Sequence, residues 1–222
     1  MQRVPEPEEL MDDAQQALAY AQADFSEANR LFVDLLEQLE PAGLSGRLLD
    51  LGCGPADIPL MLARRHPCLT IDAVDGARSM LELARRNLDQ EPDVARRIEL
   101  LCEHLPCREL ASKAYDFAVS NSLLHHLTQP AAMWQTIAHC GLPGARVLIM
   151  DLARPRSETA VDALVETHAM DAPDVLRRDF RNSLFAAYTV EEVEEQLDSA
   201  GLATLEVDMV SDRHLAVSGA LS

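Results

Sequence analysis

The sequence predicts an α/β protein with a doubly wound, mostly parallel sheet that carries helices on both faces. Short apolar runs of strand length alternate with runs of helical spacing, and glycines follow the first of these strands directly. The chain of 222 residues is long enough for one core and slightly short for two ordinary domains. We therefore expect one domain with attachments.

The alternation begins after a helical pattern over residues 8–40, which Pro41 and Gly43 end. Strands are predicted at residues 47–51, 70–74, 98–102, 115–120 and 145–152, and helices at residues 58–65, 79–88 and 131–140. This spacing favours parallel strands joined by right-handed crossovers. Such sheets bind ligands at the carboxyl ends of their strands.

A helical stretch over residues 154–188 interrupts the alternation. We interpret it as an insertion over the strand ends that forms one side of a ligand pocket. The chain then divides into four parts of one domain. They are a lid or packing helix region at 1–46, a core at 47–153, the insertion at 154–188 and a closing segment at 189–222.

The closing segment begins with a capping box, in which Thr189 and Glu192 satisfy backbone amides at the start of a helix. Gly201 ends that helix. Two strand-like runs follow at residues 202–210 and 213–218, which brings the predicted strands to seven.

Charge and composition exclude several classes of function. The net charge of -18 should repel polyanions, so no nucleic-acid partner is expected. The apolar runs are too short to span a membrane and the proline-rich, acidic N-terminus is unlike a signal peptide, so a cytoplasmic location is expected. The five cysteines contain no CxxC pair, which predicts reduced, buried thiols and no metal site.

A glycine turn follows the first strand in residues 48–60 (LLDLGCGPADIPL). Gly52 and Gly54 would let a ligand approach the backbone closely where a helix opens. A dinucleotide-binding turn would need a third glycine at position 57, where Asp57 would meet the pyrophosphate with a carboxylate. The turn therefore counts against a nicotinamide cofactor.

Carboxylates end the first three strands. Asp75 lies 23 residues beyond Gly52 and can accept hydrogen bonds from both hydroxyls of a ribose. Glu103 can accept from an exocyclic amine, and Asp50 can neutralise a ligand ammonium group. A ligand with a ribose and no phosphate fits this pattern.

Together these features resemble the class I S-adenosylmethionine-dependent methyltransferase family, over residues 47–153 and more loosely to 219. The family's first motif is read in residues 50–54 (DLGCG), and Ala56 stands where many members carry a third glycine, at little cost if its φ is negative. The NSLLHHL stretch at residues 121–127 is similar to that of quinone-biosynthesis and other small-molecule methyltransferases. The resemblance implies a Rossmann-like, seven-stranded sheet with an antiparallel last strand.

The resemblance also implies S-adenosylmethionine as cofactor, S-adenosylhomocysteine as product, and roles for individual residues. Asp75 would bind the ribose, Gly76 would lie beside the adenine, and Glu103, in place of the more usual aspartate, would form the adenine-side loop with His104. Asn121 follows the fourth strand, on the loop that flanks the reactive methyl group. The predicted cofactor-binding residues are Asp50, Gly52, Cys53, Gly54, Asp75, Gly76, Glu103, His104, Asn121 and Tyr20.

Tyr20 enters this set because the helix before the core folds over the cofactor as a lid in many relatives; the alternative is a plain packing helix. No catalytic residue is compulsory, because methyl transfer is an in-line displacement that positioning and desolvation can accelerate. His125 and His126 are weak candidates for a base if the acceptor must lose a proton. Alternatively, both histidines are structural.

The leading functional hypothesis is methyl transfer to a small-molecule acceptor. A second hypothesis keeps the cofactor and makes the acceptor a macromolecule, such as a basic protein attracted by the negative surface. A third is a regulatory protein that binds S-adenosylmethionine and transfers nothing.

Overall fold

Helices pack on both faces of a seven-stranded sheet in the structure, a computed structural model that describes residues 1–6, 24–107 and 109–222. The strands are β1 (Gly46–Leu51), β2 (Leu69–Asp75), β3 (Ile98–Cys102), β4 (Tyr115–Asn121), β5 (Gly141–Leu152), β6 (Leu205–Met209) and β7 (His214–Ala220). The described α-helices are α1 (Ser26–Leu39), α2 (Asp57–Arg65), α3 (Arg78–Asp89), α4 (Pro92–Ala95), α5 (Ala131–Cys140), α6 (Glu158–Ala169), α7 (Asp174–Ala186) and α8 (Val190–Ala200). A 3₁₀ turn, Leu124–His126, follows β4.

The strand order is β3-β2-β1-β4-β5-β7-β6. Strands β1 to β5 pair in parallel, and β7 runs antiparallel to both β5 and β6. The predicted fold class is therefore confirmed. The chain leaves β1 toward β2 on one side and returns to β4 on the other, which opens a crevice at the carboxyl ends of these strands.

Residues along each central strand are buried on both faces, as expected of parallel strands under helices. Leu48 belongs to the apolar cluster that also holds Phe32 and Leu36 of α1. Its neighbour Leu49 belongs to the cluster on the other face, with Trp134 of α5. Because the sheet is anchored from both sides, the strand ends are rigid supports for a site.

The first helix differs from its prediction. It begins at Ser26 rather than running unbroken from residue 8 to 40, because Phe25 has non-helical backbone angles and the Asp24 carboxylate accepts a hydrogen bond from the Ser26 amide at 2.9 Å. The earlier part of that prediction, residues 8–23, lies outside the described residues.

The fifth strand begins at Gly141, four residues before its predicted start at residue 145. Gly141 pairs with Tyr115 and Arg146 pairs with Phe117, so the intervening residues form an irregularity in the ladder. A turn at Pro143 and Gly144 therefore lies within the strand rather than before it.

The insertion consists of α6 and α7, which pack around an apolar cluster of their own that includes Val161, Val165 and Leu184. The cluster also holds Leu152, the last residue of β5, which brings the insertion to the carboxyl end of the sheet. Its role as an acceptor pocket stays a prediction. In the part of the chain that the structure describes, no helix combines the length and apolar character needed to cross a membrane.

All five cysteines are free thiols. Cys53, Cys107 and Cys140 are buried as predicted, but the prediction of burial is wrong for Cys68 and Cys102, which are exposed. Cys102 ends β3, which is an edge strand, and Cys68 precedes β2 in a turn, so neither lies inside the covered part of the sheet.

Candidate functional site

A cleft of about 190 Å³ opens at the carboxyl ends of β1, β2, β3 and β4. The fold brings most of the predicted site residues to its wall, although they come from four separate strand ends. Those that line it are Gly52, Gly54, Asp75, Gly76, Glu103, His104, Asn121 and His126.

The glycine turn forms one wall of this cleft. The amides of Gly52 and Cys53 both donate to the Val74 carbonyl, at 2.8 and 3.0 Å, which ties the turn to the end of β2. Gly52 has φ +76°, and a Cβ there would meet the Leu123 side chain at 3.0 Å. Gly54 has φ +52°, and no described atom lies within 4 Å of the position its Cβ would take. Glycine thus leaves open space for a ligand at the backbone.

The backbone of Ala56, which stands where many family members carry a third glycine, is strained. Its φ is +67°, in the left-handed region, so the negative φ under which its methyl group would cost little is not present. Left-handed backbone costs a residue with a Cβ about 1–2 kcal/mol. The methyl group is fully buried in the core, and burying a group of this size returns about 0.8 kcal/mol. The buried methyl therefore offsets much of the strain.

Asp75 is fixed by two backbone amides. One carboxylate oxygen accepts from Gly54 and the other from Ala77, each at 2.8 Å. The acid therefore faces the cleft in one orientation, across from the glycine turn. A carboxylate oxygen has a second lone pair, so the arrangement suits the predicted bond to ribose hydroxyls.

Asp50 and Cys53 do not line the cleft but are buried beside it. Burial and the nearby charge of Asp75 raise the pKa of the Asp50 carboxyl to about 7. A ligand ammonium group would stabilise its ionised form, which fits the amino group of S-adenosylmethionine. Burial raises the pKa of the Cys53 thiol well above its usual value, so Cys53 contributes its backbone to the turn rather than a reactive sulfur.

The loop after β4 carries an unsatisfied acceptor. The Oδ1 atom of Asn121 is buried and has no hydrogen-bond partner among the described residues. The next residue, Ser122, has φ +58°, an unusual conformation for a residue other than glycine. Strained residues of this kind cluster at binding sites. An unpaired buried oxygen in the cleft wall is the feature that a bound hydrogen donor would satisfy.

The two adjacent histidines differ in position. His125 is buried, with its Nδ1 atom 2.6 Å from Asp151 Oδ1, and it does not line the cleft. Burial alone would lower the pKa of His125, but the charge and hydrogen bond of Asp151 raise it above its usual value. His126 lines the cleft, and its Nδ1 atom lies 2.5 Å from Glu6 Oε2.

Sequence reasoning missed Glu6 and Asp151, and the cleft residues Ser122 and Leu123. Asp151 lies near the end of β5, so the rule that selected Asp50 would have found it. Glu6 lies 120 residues from His126, and no local sequence pattern predicts a contact between them. The predicted lid residue Tyr20 lies outside the described residues.

A second hollow, of about 410 Å³, lies at the opposite end of the strands. Its wall includes Glu40, Asp116 and Arg146 and none of the predicted site residues. Parallel sheets bind ligands at the carboxyl ends of their strands, which favours the smaller cleft.

Comparison with known proteins agrees with this geometry. A family model described as a methyltransferase domain matches residues 20–207. The malonyl-[acyl-carrier protein] O-methyltransferase of Halalkalibacterium halodurans is 34% identical over 83 residues, which are 37% of this chain and 30% of that protein. The ubiquinone/menaquinone biosynthesis C-methyltransferase of Syntrophotalea carbinolica is 28% identical over 120 residues, 54% of this chain and 49% of that protein. The chain thus spans less than half the length of these two relatives.

A solved structure of a methyltransferase dependent on S-adenosylmethionine, from Aquifex aeolicus, superposes with a TM-score of 0.66 over 95% of this chain and 99% of that chain, at 18% identity. This likeness concerns the fold. Because the family model covers well over half of the chain, the protein belongs to the methyltransferase-domain family, and its fold and its cofactor, S-adenosylmethionine, are those of the class I methyltransferases that its sequence resembles.

Proposed function

We propose that this protein transfers a methyl group from S-adenosylmethionine to a small-molecule acceptor whose attacking atom loses a proton. The proposal is supported above all by the composition of one cleft, which is lined by Asp75, Gly54 and Asn121 and also by His126. The first three suit the cofactor, and the histidine supplies a group that can take up a proton beside it.

The cofactor half of the cleft would hold the ligand by three kinds of contact. Asp75 would accept from the ribose, the open backbone at Gly54 would admit close approach, and buried Asp50 would stabilise the ammonium group. When bound, S-adenosylmethionine supplies an electrophilic methyl group on a positively charged sulfur. The chain's own contribution is to orient the two reactants and exclude water from the cleft.

His126 is the stronger of the two candidate bases. His125 lies behind the cleft wall and is held by Asp151, whereas His126 lines the wall. The contact with Glu6 occupies Nδ1 of His126, so Nε2 is the ring nitrogen available to an acceptor. The acceptor's attacking atom would give up its proton to this nitrogen as it forms the new bond to carbon.

Two further observations support a small acceptor. The net charge of -18 disfavours a nucleic acid. Of the relatives named above, the C-methyltransferase acts in ubiquinone/menaquinone biosynthesis, whereas the O-methyltransferase acts on a malonyl group that a protein carries. The class of acceptor is therefore best sought among phenols, hydroquinones and thioester-linked acids.

The test is a methyl-transfer assay with S-adenosylmethionine labelled in the methyl group. Catechol, a hydroquinone, a malonyl thioester and a primary amine serve as small acceptors, with a lysine-rich protein and total RNA in parallel reactions. We expect label in a small acceptor, and less of it from Asp75→Ala at a cofactor concentration below the wild-type KM, because the variant binds the cofactor more weakly. Label confined to protein or RNA would overturn the small-molecule assignment, and no label in any reaction would favour a regulatory protein that only binds the cofactor.

A further inference from the structure

The N-terminal strap, which we define as residues 3–6, reaches across the acceptor end of the molecule. The Arg3 guanidinium donates to the carbonyls of His125 and Leu127, at 2.9 and 3.1 Å, and to the carbonyl of Ala186 at 2.5 Å. It also lies 4.1 Å above the centre of the Tyr188 ring. The strap therefore joins the 3₁₀ turn beside the cleft to the end of the helical insertion.

Glu6 uses both of its carboxylate oxygens at this junction. Oε1 accepts from the Ser183 hydroxyl at 2.7 Å, and Oε2 lies 2.5 Å from Nδ1 of His126. Burial alone would raise the pKa of Glu6, but the hydrogen bond and charge of His126 lower it below its usual value. An ionised carboxylate accepts hydrogen bonds and cannot donate them. The proton between the two groups therefore belongs to the imidazole.

This contact fixes the chemical form of His126. With a proton on Nδ1, a neutral imidazole has its lone pair on Nε2. In free histidine the neutral ring can carry its proton on either nitrogen. A carboxylate bound to Nδ1 thus selects the neutral form of the ring in which Nε2 can act as a base.

We propose that Glu6 is a positioning residue for His126, which it holds with Nε2 unprotonated and available to the methyl acceptor. The inference rests on the proposed function, in which His126 takes up the acceptor's proton. It adds that the N-terminal strap completes the site, so that residues 120 positions apart form one carboxylate–imidazole pair.

A metal ion is the competing explanation for the same groups. Glu6, His125 and His126 offer ligand atoms that all lie within 4.8 Å of one another. One contact favours the hydrogen-bonded pair instead. Glu6 Oε2 and His126 Nδ1 lie 2.5 Å apart, a hydrogen-bond distance that leaves no room for an ion between these two atoms. The positively charged Arg3 also bonds to the backbone of His125, where it would repel a cation.

The experiment combines nitrogen NMR of the histidine rings with methyl-transfer kinetics, on the full chain. His126→Gln identifies the His126 signals. In the wild type we expect neutral His126 to carry its proton on Nδ1, and in Glu6→Gln we expect a large share of the Nε2-protonated form. With an acceptor found in the labelled panel, kcat of Glu6→Gln should fall about 10- to 100-fold, less than most of the ~10²–10⁴-fold range attributed to a general base because the base itself remains, while the KM for S-adenosylmethionine stays within about twofold.

Two variants and one reagent serve as controls. Asp212→Asn makes the same chemical change at an exposed carboxylate–imidazole pair, with His168, and should leave kcat and the His126 signals unchanged. Arg3→Gln loosens the strap without touching the imidazole, so a loss of kcat as large as that of Glu6→Gln would show that Glu6 only anchors the strap. Activity that EDTA removes and Co²⁺ restores would overturn the proposal in favour of a metal site.

The remaining outcomes are also decisive. An unchanged proton position in Glu6→Gln, or an unchanged kcat, would refute the positioning role while leaving methyl transfer intact. A changed proton position with no transfer to any acceptor would instead refute the proposed function and reduce the pair to a structural contact.

Discussion

The two halves of the cleft are assembled differently. In the cofactor half, Asp75 binds the amides of Gly54 and Ala77, which lie 21 and 2 residues away. In the other half, the side around His126 that we propose for the acceptor, Glu6 contacts His126 and Ser183, which lie 120 and 177 residues away. The first half is a property of consecutive βα units, whereas the second exists only when the N-terminal strap and the insertion have closed on the sheet. The proposed cofactor contacts are thus encoded locally, and the surroundings proposed for the acceptor depend on long-range packing.

The largest expected effect concerns the adjacent histidines, because His125 belongs to the core and His126 to the cleft. His125→Ala should lower the free energy of unfolding by about 3–5 kcal/mol, since it leaves the buried Asp151 carboxylate with backbone amides and without its ionisable partner. His126→Ala should cost about 1.5–3 kcal/mol, the scale of one hydrogen bond to a charged group, because Ser183 still donates to Glu6. Urea denaturation at pH 7 measures both. Equal losses would contradict the assignment of His125 to the core and His126 to the cleft.

The cofactor half is tested by removal of its acid. Asp75→Ala should weaken the binding of S-adenosylhomocysteine by about 1–3 kcal/mol, which is roughly 5- to 150-fold, because a charged hydrogen-bond partner is lost. Isothermal titration calorimetry gives the two dissociation constants. Asp93→Ala, at an exposed acid of α4, is the matched control and should bind like the wild type. Unchanged affinity in Asp75→Ala would refute the ribose assignment.

Asp50 should make the cofactor half sensitive to pH. Its raised pKa of about 7 means that the unliganded protein takes up a proton there as the pH falls below 7. A ligand ammonium group needs the ionised carboxylate, so affinity for S-adenosylhomocysteine should fall by up to about tenfold for each pH unit below 7. In Asp50→Asn this dependence should vanish and binding at pH 8 should be weaker. A wild-type affinity that does not vary between pH 5.5 and 8 would exclude Asp50 as the ammonium partner.

The smallest expected effect concerns Ala56. Replacement by glycine relieves a left-handed conformation but removes a fully buried methyl group and adds backbone freedom to the unfolded chain. These terms oppose each other, so Ala56→Gly should change the free energy of unfolding by less than about 1 kcal/mol. Urea denaturation checks the value. A gain of 2 kcal/mol or more would show that the backbone strain is larger than we infer.

The sequence predicted which strand-end residues lie together in the cleft, for physical reasons that particular residues make clear. Parallel strands end at one edge of a sheet, so acids such as Asp75 and Glu103 could be placed together from strand boundaries alone. Backbone angles could not be read in the same way. Ala56 and Ser122 adopt positive φ values that their residue types disfavour, because the surrounding fold imposes them.

The acceptor half was largely beyond prediction. The NSLLHHL stretch drew attention to both histidines, but neither hydropathy nor spacing distinguishes the buried His125 from His126 in the cleft. That distinction arises from Asp151 and Glu6, which approach from distant parts of the chain. The helix prediction over residues 8–40 likewise missed the break at Phe25, where a side chain competes for the backbone amide of Ser26.

The central claim is that the cleft at the carboxyl ends of the strands holds S-adenosylmethionine. A crystal structure with bound S-adenosylhomocysteine tests it most directly. We predict the ribose hydroxyls within hydrogen-bond distance of the Asp75 carboxylate and a ligand donor on Oδ1 of Asn121, which has no partner among the described residues. Ligand density at the opposite end of the sheet, between Glu40 and Arg146, would contradict the account.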